Sequence, residues 1–389
     1  MQIYLDHSAT TPMRAEAIAT MHRILTSEWG NPSSIHQWGE RASTALEQAR
    51  FQVAALINAN PDAIAFTSGG TEANNQAIIG VTNLYITPQH LVISSVEHSS
   101  IEVPARWLES RGWQVTRLPV DRAGRIDPQD LAAAIRPNTV LVSIIYGQSE
   151  VGTIQPIAEL AAICQQYRVY FHTDAVQAAG RVAIDVRALG IDLLSISSHK
   201  LYGPQGTGAL YIRPELELVP LLAGGGQEMG WRSGTQAVPQ IAGFGIAAEL
   251  ASEELTTENH RLIGLRDRLF DLLADCPILI PTGDRLHRLA HHLSFCLHLP
   301  DCHATANITG KTIVRQLNLA GIGISSGAAC ASGKLTPSPI LLAMGYTQTE
   351  AVRGIRLTLG KGTTVEDIDW TAMALKQILA RQIPQLACV

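Results

Sequence analysis

Apolar residues along this chain recur with two alternating periods. Helical spacing runs through Gln37–Ile57, Glu72–Leu84, Ser100–Ser110, Pro128–Ile135 and Pro156–Tyr167. Between them lie short, β-rich apolar runs at Ala63–Thr67, Leu91–Ser95, Val140–Ile145, Val169–Thr173, Leu193–Ser197 and Gly208–Ile212. Asp127 before Pro128 supplies an N-cap followed by a proline at the first helical position. This alternation predicts an α/β domain over about residues 15–250, with a mainly parallel sheet flanked by helices. Ligand sites in such a domain lie at the carboxyl ends of the strands. A long helical stretch follows, about Ala237–Ala274. Beyond it, strands (His292–Leu299, Gly323–Ser326, Gly354–Thr358) mix with helices that end in Val365–Leu379. Residues 1–14 and 251–389 are therefore expected to form a smaller α+β domain.

Composition narrows the function classes. With 389 residues, 46% hydrophobic and 16% charged, the chain can bury a large core in two domains. A net charge of −5 leaves no basic footprint for nucleic acid. The longest stretch free of Asp, Glu, Lys and Arg, Ala73–Val96, contains Asn, Gln, Thr and Pro88, so it reads as helix, loop and strand and not as a bilayer span. Met1-Gln-Ile-Tyr-Leu-Asp6 has neither a basic nor an apolar leader pattern, so a cytoplasmic protein is expected. The six cysteines (Cys164, Cys276, Cys296, Cys302, Cys330, Cys388) form no CxxC and are expected to be free thiols.

The polar clusters fall at strand ends. Asp192–Lys200 is an apolar run closing in Ser197-Ser-His199-Lys200, and Val169–Gln177 closes in Asp174-Ala-Val-Gln177. A lysine and an aspartate so placed suit pyridoxal phosphate (PLP): the amine forms a Schiff base and the carboxylate keeps the pyridine nitrogen protonated. Phe66-Thr-Ser-Gly-Gly70-Thr71-Glu72 follows a strand and opens a helix, where free amides and the Thr71 hydroxyl would hold a phosphate. Taken alone, it reads more readily as an ordinary N-cap with a tight turn. Gly224–Thr235 is a second glycine-rich loop, bearing Arg232 and Thr235; alone it reads equally as a surface loop. His98 stands between a strand and a helix, either as a plain helix cap or as a ring stacked on the cofactor. Cys330 lies in Ser325-Ser-Gly-Ala-Ala-Cys330-Ala-Ser-Gly333, a small-residue segment with no apolar period to bury a thiol, as suits a mobile nucleophile. Arg356 alternates with Ile355 and Leu357, and its planar fork suits an amino-acid carboxylate or a surface salt bridge.

Read in order, these stretches resemble the cysteine desulfurases of the NifS/IscS type, class-V aminotransferases of PLP fold type I. The resemblance runs nearly end to end, through Tyr4–Pro12, Gly30–Ser34, Thr67–Glu72, Glu97-His98, His172–Gln177, Ser197–Lys200, Tyr202–Gly206, Arg232–Thr235, Ser325–Cys330 and Ile355-Arg356. It implies that Lys200 carries the PLP Schiff base, Asp174 pairs with the pyridine nitrogen and Gln177 contacts the ring hydroxyl. Gly70, Thr71, Ser197 and His199 hold the phosphate, and Thr235 reaches the phosphate of the neighbouring subunit of a homodimer. His98 stacks on the ring, Asn31 and Arg356 receive the carboxylate of L-cysteine, and Cys330 accepts the sulfur, to pass it to an acceptor such as an iron–sulfur scaffold. Where the family shows Asn-Asn-Glu, this chain has Gln148-Ser149-Glu150, so Ser149 is expected to lose or to water-bridge a cofactor contact. The chain ends soon after its last helix, so the tail by which some relatives dock a scaffold is expected to be missing.

Two rival readings stand beside this one. Another PLP enzyme on the same cradle, such as an aminotransferase, a selenocysteine lyase or a cystine C–S lyase, is the nearer rival; Cys330 in its glycine-rich loop argues against it, since an aminotransferase has no use for that thiol. A metal or sulfur-carrier protein is suggested by His287, His291, His292, Cys296, His298, Cys302 and His303. Strand alternation over His292–His298 would separate those ligands, so no metal is expected.

Overall fold

The computed structural model describes residues 2–299, 308–327 and 336–382. The strands are β1 (Ile3–Tyr4), β2 (Ile64–Thr67), β3 (His90–Ser94), β4 (Gln114–Leu118), β5 (Thr139–Ile145) and β6 (Tyr170–Asp174), then β7 (Leu193–Ser197), β8 (Gly208–Ile212), β9 (Leu279–Pro281), β10 (His292–Leu297), β11 (Ile322–Gly323) and β12 (Gly354–Thr358). The helices are α1 (Ala15–Ser27), α2 (Gln37–Leu56), α3 (Gly70–Thr82), α4 (Ser99–Glu109), α5 (Pro128–Ala134) and α6 (Ile157–Tyr167), then α7 (Val186–Leu189), α8 (Val238–Leu272), α9 (Gly310–Leu319), α10 (Pro339–Ala343), α11 (Gln348–Ala351) and α12 (Val365–Gln382).

Seven strands form the large sheet in the order β2-β8-β7-β6-β5-β3-β4. From β7 to β4 every pairing is parallel, and β8 runs antiparallel to both β7 and β2. Helices cover both faces, which is why the inner strands read as unbroken apolar runs. On one face Val142, Ile144, Phe171, Leu194 and Ile196 pack with Val53 of α2 and Phe244 of α8. On the other, Leu141, Leu193 and Leu210 pack with Ile78 of α3 and Ile101 of α4.

A second core gathers Leu293 and Phe295 of β10, Ile355 and Leu357 of β12, Ile313 of α9 and Leu375 of α12. The sheet β12-β10-β9 is antiparallel, and β1 pairs with β11 in parallel. Helix α8 serves both cores: Phe244, Ala247 and Ala251 belong to the first, and Leu262, Leu265 and Leu269 to the second. At 35 residues it spans about 50 Å, enough to bridge them.

Strand β4 went unread in the sequence because it is an edge strand on which only Leu118 is buried. Its Arg117 pairs with Glu102 and Glu109 of α4, so polar residues replace the apolar run that marks an inner strand. The glycine-rich loop is pinned and not free. Glu228, 4% exposed, accepts from Arg50 at 2.7 Å and from the Phe66 amide at 2.9 Å.

Candidate active site

Several strand ends open onto one cavity of about 380 Å³. Strand β2 stops at Thr67 and the chain turns into α3, whose first residues are Gly70 and Thr71. The turn presses on β8: a Cβ on Gly208 would lie 2.8 Å from the Gly69 backbone, so any larger residue would push the helix start away. First-turn amides have no partner inside their helix and sit at its positive dipole end. After β3 comes His98, the N-cap of α4. After β5 comes the turn bearing Ser149; β6 ends in Asp174, and β7 passes into a single 3₁₀ turn, Ser198–Lys200. Arg356 arrives from β12. Gly70, Thr71, His98, Ser149, Asp174, Gln177, Ser197, His199, Lys200 and Arg356 all line the cavity.

Lys200 Nζ donates to the carbonyls of Ser8 at 2.6 Å and Ala9 at 2.7 Å. Burial, then the charges of Arg356 and Arg181, push its ammonium down to about 8, against the pull of Asp6 and Asp174. Burial and the Lys200 charge push His199 down to about 4, so its imidazole is neutral at pH 7; its Nδ1 lies 3.0 Å from Thr10 Oγ1.

Asp174 is 3% exposed. It accepts from the Val176 amide at 3.0 Å and from Asn74 Nδ2 at 2.7 Å, both neutral donors. Burial raises its carboxyl above the usual range, while the Val176 amide, His98, Asn74 and Lys200 pull it back. Gln177 donates to the Ser8 carbonyl at 2.9 Å, and its buried Oε1 has no donor.

His98 Nδ1 accepts from the Ser100 amide at 3.1 Å and lies 2.7 Å from Ser100 Oγ. An accepting Nδ1 places the neutral ring's proton on Nε2. Asn74 Nδ2 also donates to Ser100 Oγ at 2.8 Å, so one buried amide joins the Asp174 carboxylate to the His98 cap. Behind His98, Glu97 Oε1 accepts from the Ile145 amide at 2.8 Å and ties the end of β5 to that of β3. Arg356 donates to the Ser149 carbonyl at 3.0 Å and forms an ion pair with Asp6 at 2.7 Å, leaving its buried Nε unpartnered. Asn74, Ser100, Ser8 and Asp6 escaped the sequence reading. Asn74 and Ser100 sit inside helices, where nothing local marks them, but Asn74 shares the face of Thr71 at i+3, and Ser100 is the first-turn residue whose amide the His98 cap accepts.

Two expected site residues stand apart from this lining. Asn31 is exposed and its Oδ1 accepts from the Ser33 amide at 3.0 Å, closing a turn. Thr235 is exposed at the end of the glycine-rich loop. Cys330 lies outside the described residues. Cys164 and Cys296 are buried and free; burial pushes the Cys164 thiol far up and that of Cys296 to about 12, so neither is a ready nucleophile. His291 and His292 are buried, Cys302 and His303 lie outside the described residues, and among the described residues no three His, Cys, Asp or Glu are grouped to hold a metal.

Residues 3–370 match the family model described as Aminotransferase class-V. The chain is 44% identical over 382 residues to the cysteine desulfurase IscS of Dictyoglomus turgidum, covering 98% of this chain and 95% of that protein. It is 42% identical over 374 residues to the human cysteine desulfurase, covering 95% and 80%. This chain belongs to the class-V aminotransferases, among the cysteine desulfurases. Its fold superposes on a NifS-like protein with a TM-score of 0.90 at 32% identity, covering 98% of this chain and all of that one. A structure titled SspA in complex with cysteine matches with a TM-score of 0.80 at 34% identity, covering 92% and 99%. The fold is thus that of the fold type I PLP enzymes, and the enzymes of this family use PLP.

The cavity suits that cofactor on its own chemistry. A helix N-terminus fits a phosphate, a buried carboxylate held by neutral donors fits a protonated ring nitrogen, and the unpartnered Gln177 Oε1 fits a ring hydroxyl. Lys200, whose amine is in part neutral near pH 8, fits an aldehyde.

Proposed function

We propose that this enzyme removes sulfur from L-cysteine, releasing L-alanine and leaving a persulfide on Cys330. The observation that carries the reading is one cavity shared by a buried carboxylate, a lysine of lowered proton affinity, a helix N-terminus and an arginine fork. Gly70, Thr71, Ser197 and His199 would hold the phosphate of PLP, Asp174 and Gln177 its ring, and Lys200 its aldehyde. His98 would pack on the ring face, and Ser149 offers the cavity a shorter side chain than the family's asparagine. When bound, the cofactor supplies an electron sink for negative charge at the substrate Cα.

The chain's own groups do the rest. Arg356, helped by Asn31, takes the substrate carboxylate. Neutral Lys200 accepts the Cα proton at Nζ, and Asp174 holds the proton on the ring nitrogen. With Nδ1 engaged by Ser100, His98 gives and regains a proton at Nε2 only, which is where it meets the thiol of substrate or of Cys330. In net terms the substrate C–S bond breaks and an S–S bond to Cys330 forms. The thiol proton ends on the carbon that becomes the alanine methyl, so no outside oxidant or reductant is consumed. The outer sulfur of a persulfide is taken by another thiolate, here that of an acceptor protein such as an iron–sulfur scaffold. Thr235, exposed and absent from its own cavity lining, is assigned to the phosphate site of the second subunit of a homodimer. The cytoplasm is the proposed location; among the described residues no helix is long and apolar enough to cross a membrane.

Mass spectrometry after mixing with L-cysteine should find one extra sulfur on the Cys330 peptide, removed by dithiothreitol. Cys330→Ala should keep the yellow colour of the PLP-loaded protein and release no sulfide. Sulfide release by that variant at the wild-type rate would overturn the assignment.

A further inference from the structure

The turn that carries Ser149 also carries a buried acid with no part in the chemistry above. Glu150 follows the residue whose carbonyl binds Arg356. It lines a small cavity together with Val151, Ser294, Leu341 and Ile355, and its Oε1 is buried with no hydrogen-bond partner. That oxygen abuts Gly327 so closely that a Cβ there would lie 1.9 Å from it. On its other side the carboxyl is hydrogen-bonded by Ser338, whose Oγ also caps α10 by accepting from the Leu341 amide at 3.1 Å. Burial, against the pull of Ser338 and of Arg356, the charged group facing it, pushes this carboxyl up to about 7. An apolar side chain would fill the same space without desolvating a carboxyl.

Gly327 is the last described residue before the segment that carries Cys330, and Ser338 is the third described residue after it. The approach to Gly327 is already paired with the substrate-side strand. Ser325 and Arg356 exchange backbone hydrogen bonds of 3.1 and 2.8 Å. We propose that Glu150 is a positioning residue for sulfur transfer: it clamps the two chain ends between which Cys330 is carried and, through Ser149, ties them to Arg356. Gly327 is then glycine because the clamp needs contact at its Cα. The inference rests on the reading of Cys330 as sulfur acceptor.

The test uses PLP-loaded, full-length protein and two readouts: the absorbance change of bound cofactor when L-cysteine is added, and the rate of persulfide formation on Cys330. Wild-type protein that forms no persulfide would refute the proposed function itself, separately from the clamp. Glu150→Ala should slow persulfide formation tenfold or more while leaving the absorbance change and cofactor content unaltered, and the isosteric Glu150→Gln should restore the rate to within threefold. Gly327→Ala should cost tenfold or more alone and less than twofold in the Glu150→Ala background, because the collision partner is gone. Persulfide formation by Glu150→Ala within twofold of wild type overturns the clamp. So does an equal loss in both readouts, which is what general destabilisation would produce, or full additivity of the two alanine substitutions.

Discussion

Lys200 should titrate far below an ordinary lysine in the cofactor-free protein. Its Nζ sits in a mostly buried cavity with Arg356 and Arg181 nearby, and these push the ammonium from 10.5 down to about 8. Such a shift raises the neutral fraction at pH 7 from roughly 0.03% to about 9%, a gain of about 300-fold in the form that condenses with an aldehyde. Competitive acetylation with trace anhydride, read by mass spectrometry between pH 6 and 11, measures this directly, with free Nα-acetyl-lysine amide in the same mixture as reference. Lys200 labelling should rise about tenfold per pH unit and level off near pH 8, while the free amine, with the ordinary lysine value of about 10.4, continues to climb. Arg356→Leu removes a cation and frees the Asp6 carboxylate that faces it at 2.7 Å, and both changes favour the ammonium. The plateau should therefore move up by a unit or more. The sign for stability follows: the folded state disfavours the charged amine, so this group destabilises the cofactor-free protein below about pH 8, and the penalty fades as pH rises from there toward 10.5. A plateau at the same pH as the free amine, or a downward shift in Arg356→Leu, would refute the electrostatic reasoning.

Two further outcomes follow from the same cavity. Asp174→Ala deletes the buried carboxylate opposite the ring nitrogen; truncating one member of a buried charge pair costs about 2–5 kcal/mol, so PLP affinity should fall roughly 30-fold to several thousandfold in an absorbance titration. Binding within threefold of wild type would remove Asp174 from the ring site. Nitrogen chemical shifts of the His98 ring should report a proton on Nε2 in wild type. Ser100→Ala, which deletes the hydroxyl shared with Asn74 but keeps the capping amide, should leave that tautomer and lower turnover by about fivefold, one hydrogen bond of about 1 kcal/mol. A wild-type proton on Nδ1 would contradict the cap geometry.

Much of the site was legible before any fold was known, and the reason is topological. Chain turns that leave the carboxyl ends of parallel strands must converge on one edge of the sheet. Asp174 and Lys200 end neighbouring strands, and Thr71 and His98 open helices after two others, so pattern alone put them together. The edge strand Gln114–Leu118 was missed because it needs no apolar run on its solvent side.

Local sequence carried the alternation of helices and strands, the polar strand ends and the singular surroundings of Cys330, because each of these depends on neighbours a few residues away. Contacts between distant parts of the chain were decided only in three dimensions. Asn74 bridges Asp174 and Ser100, Asp6 pairs with Arg356, and Glu150 touches Gly327, links that span from 26 to 350 positions. No local period records such meetings. They arise because the two cores close against each other along α8, and it is that closure that lowers the proton affinity of Lys200 and raises that of Glu150.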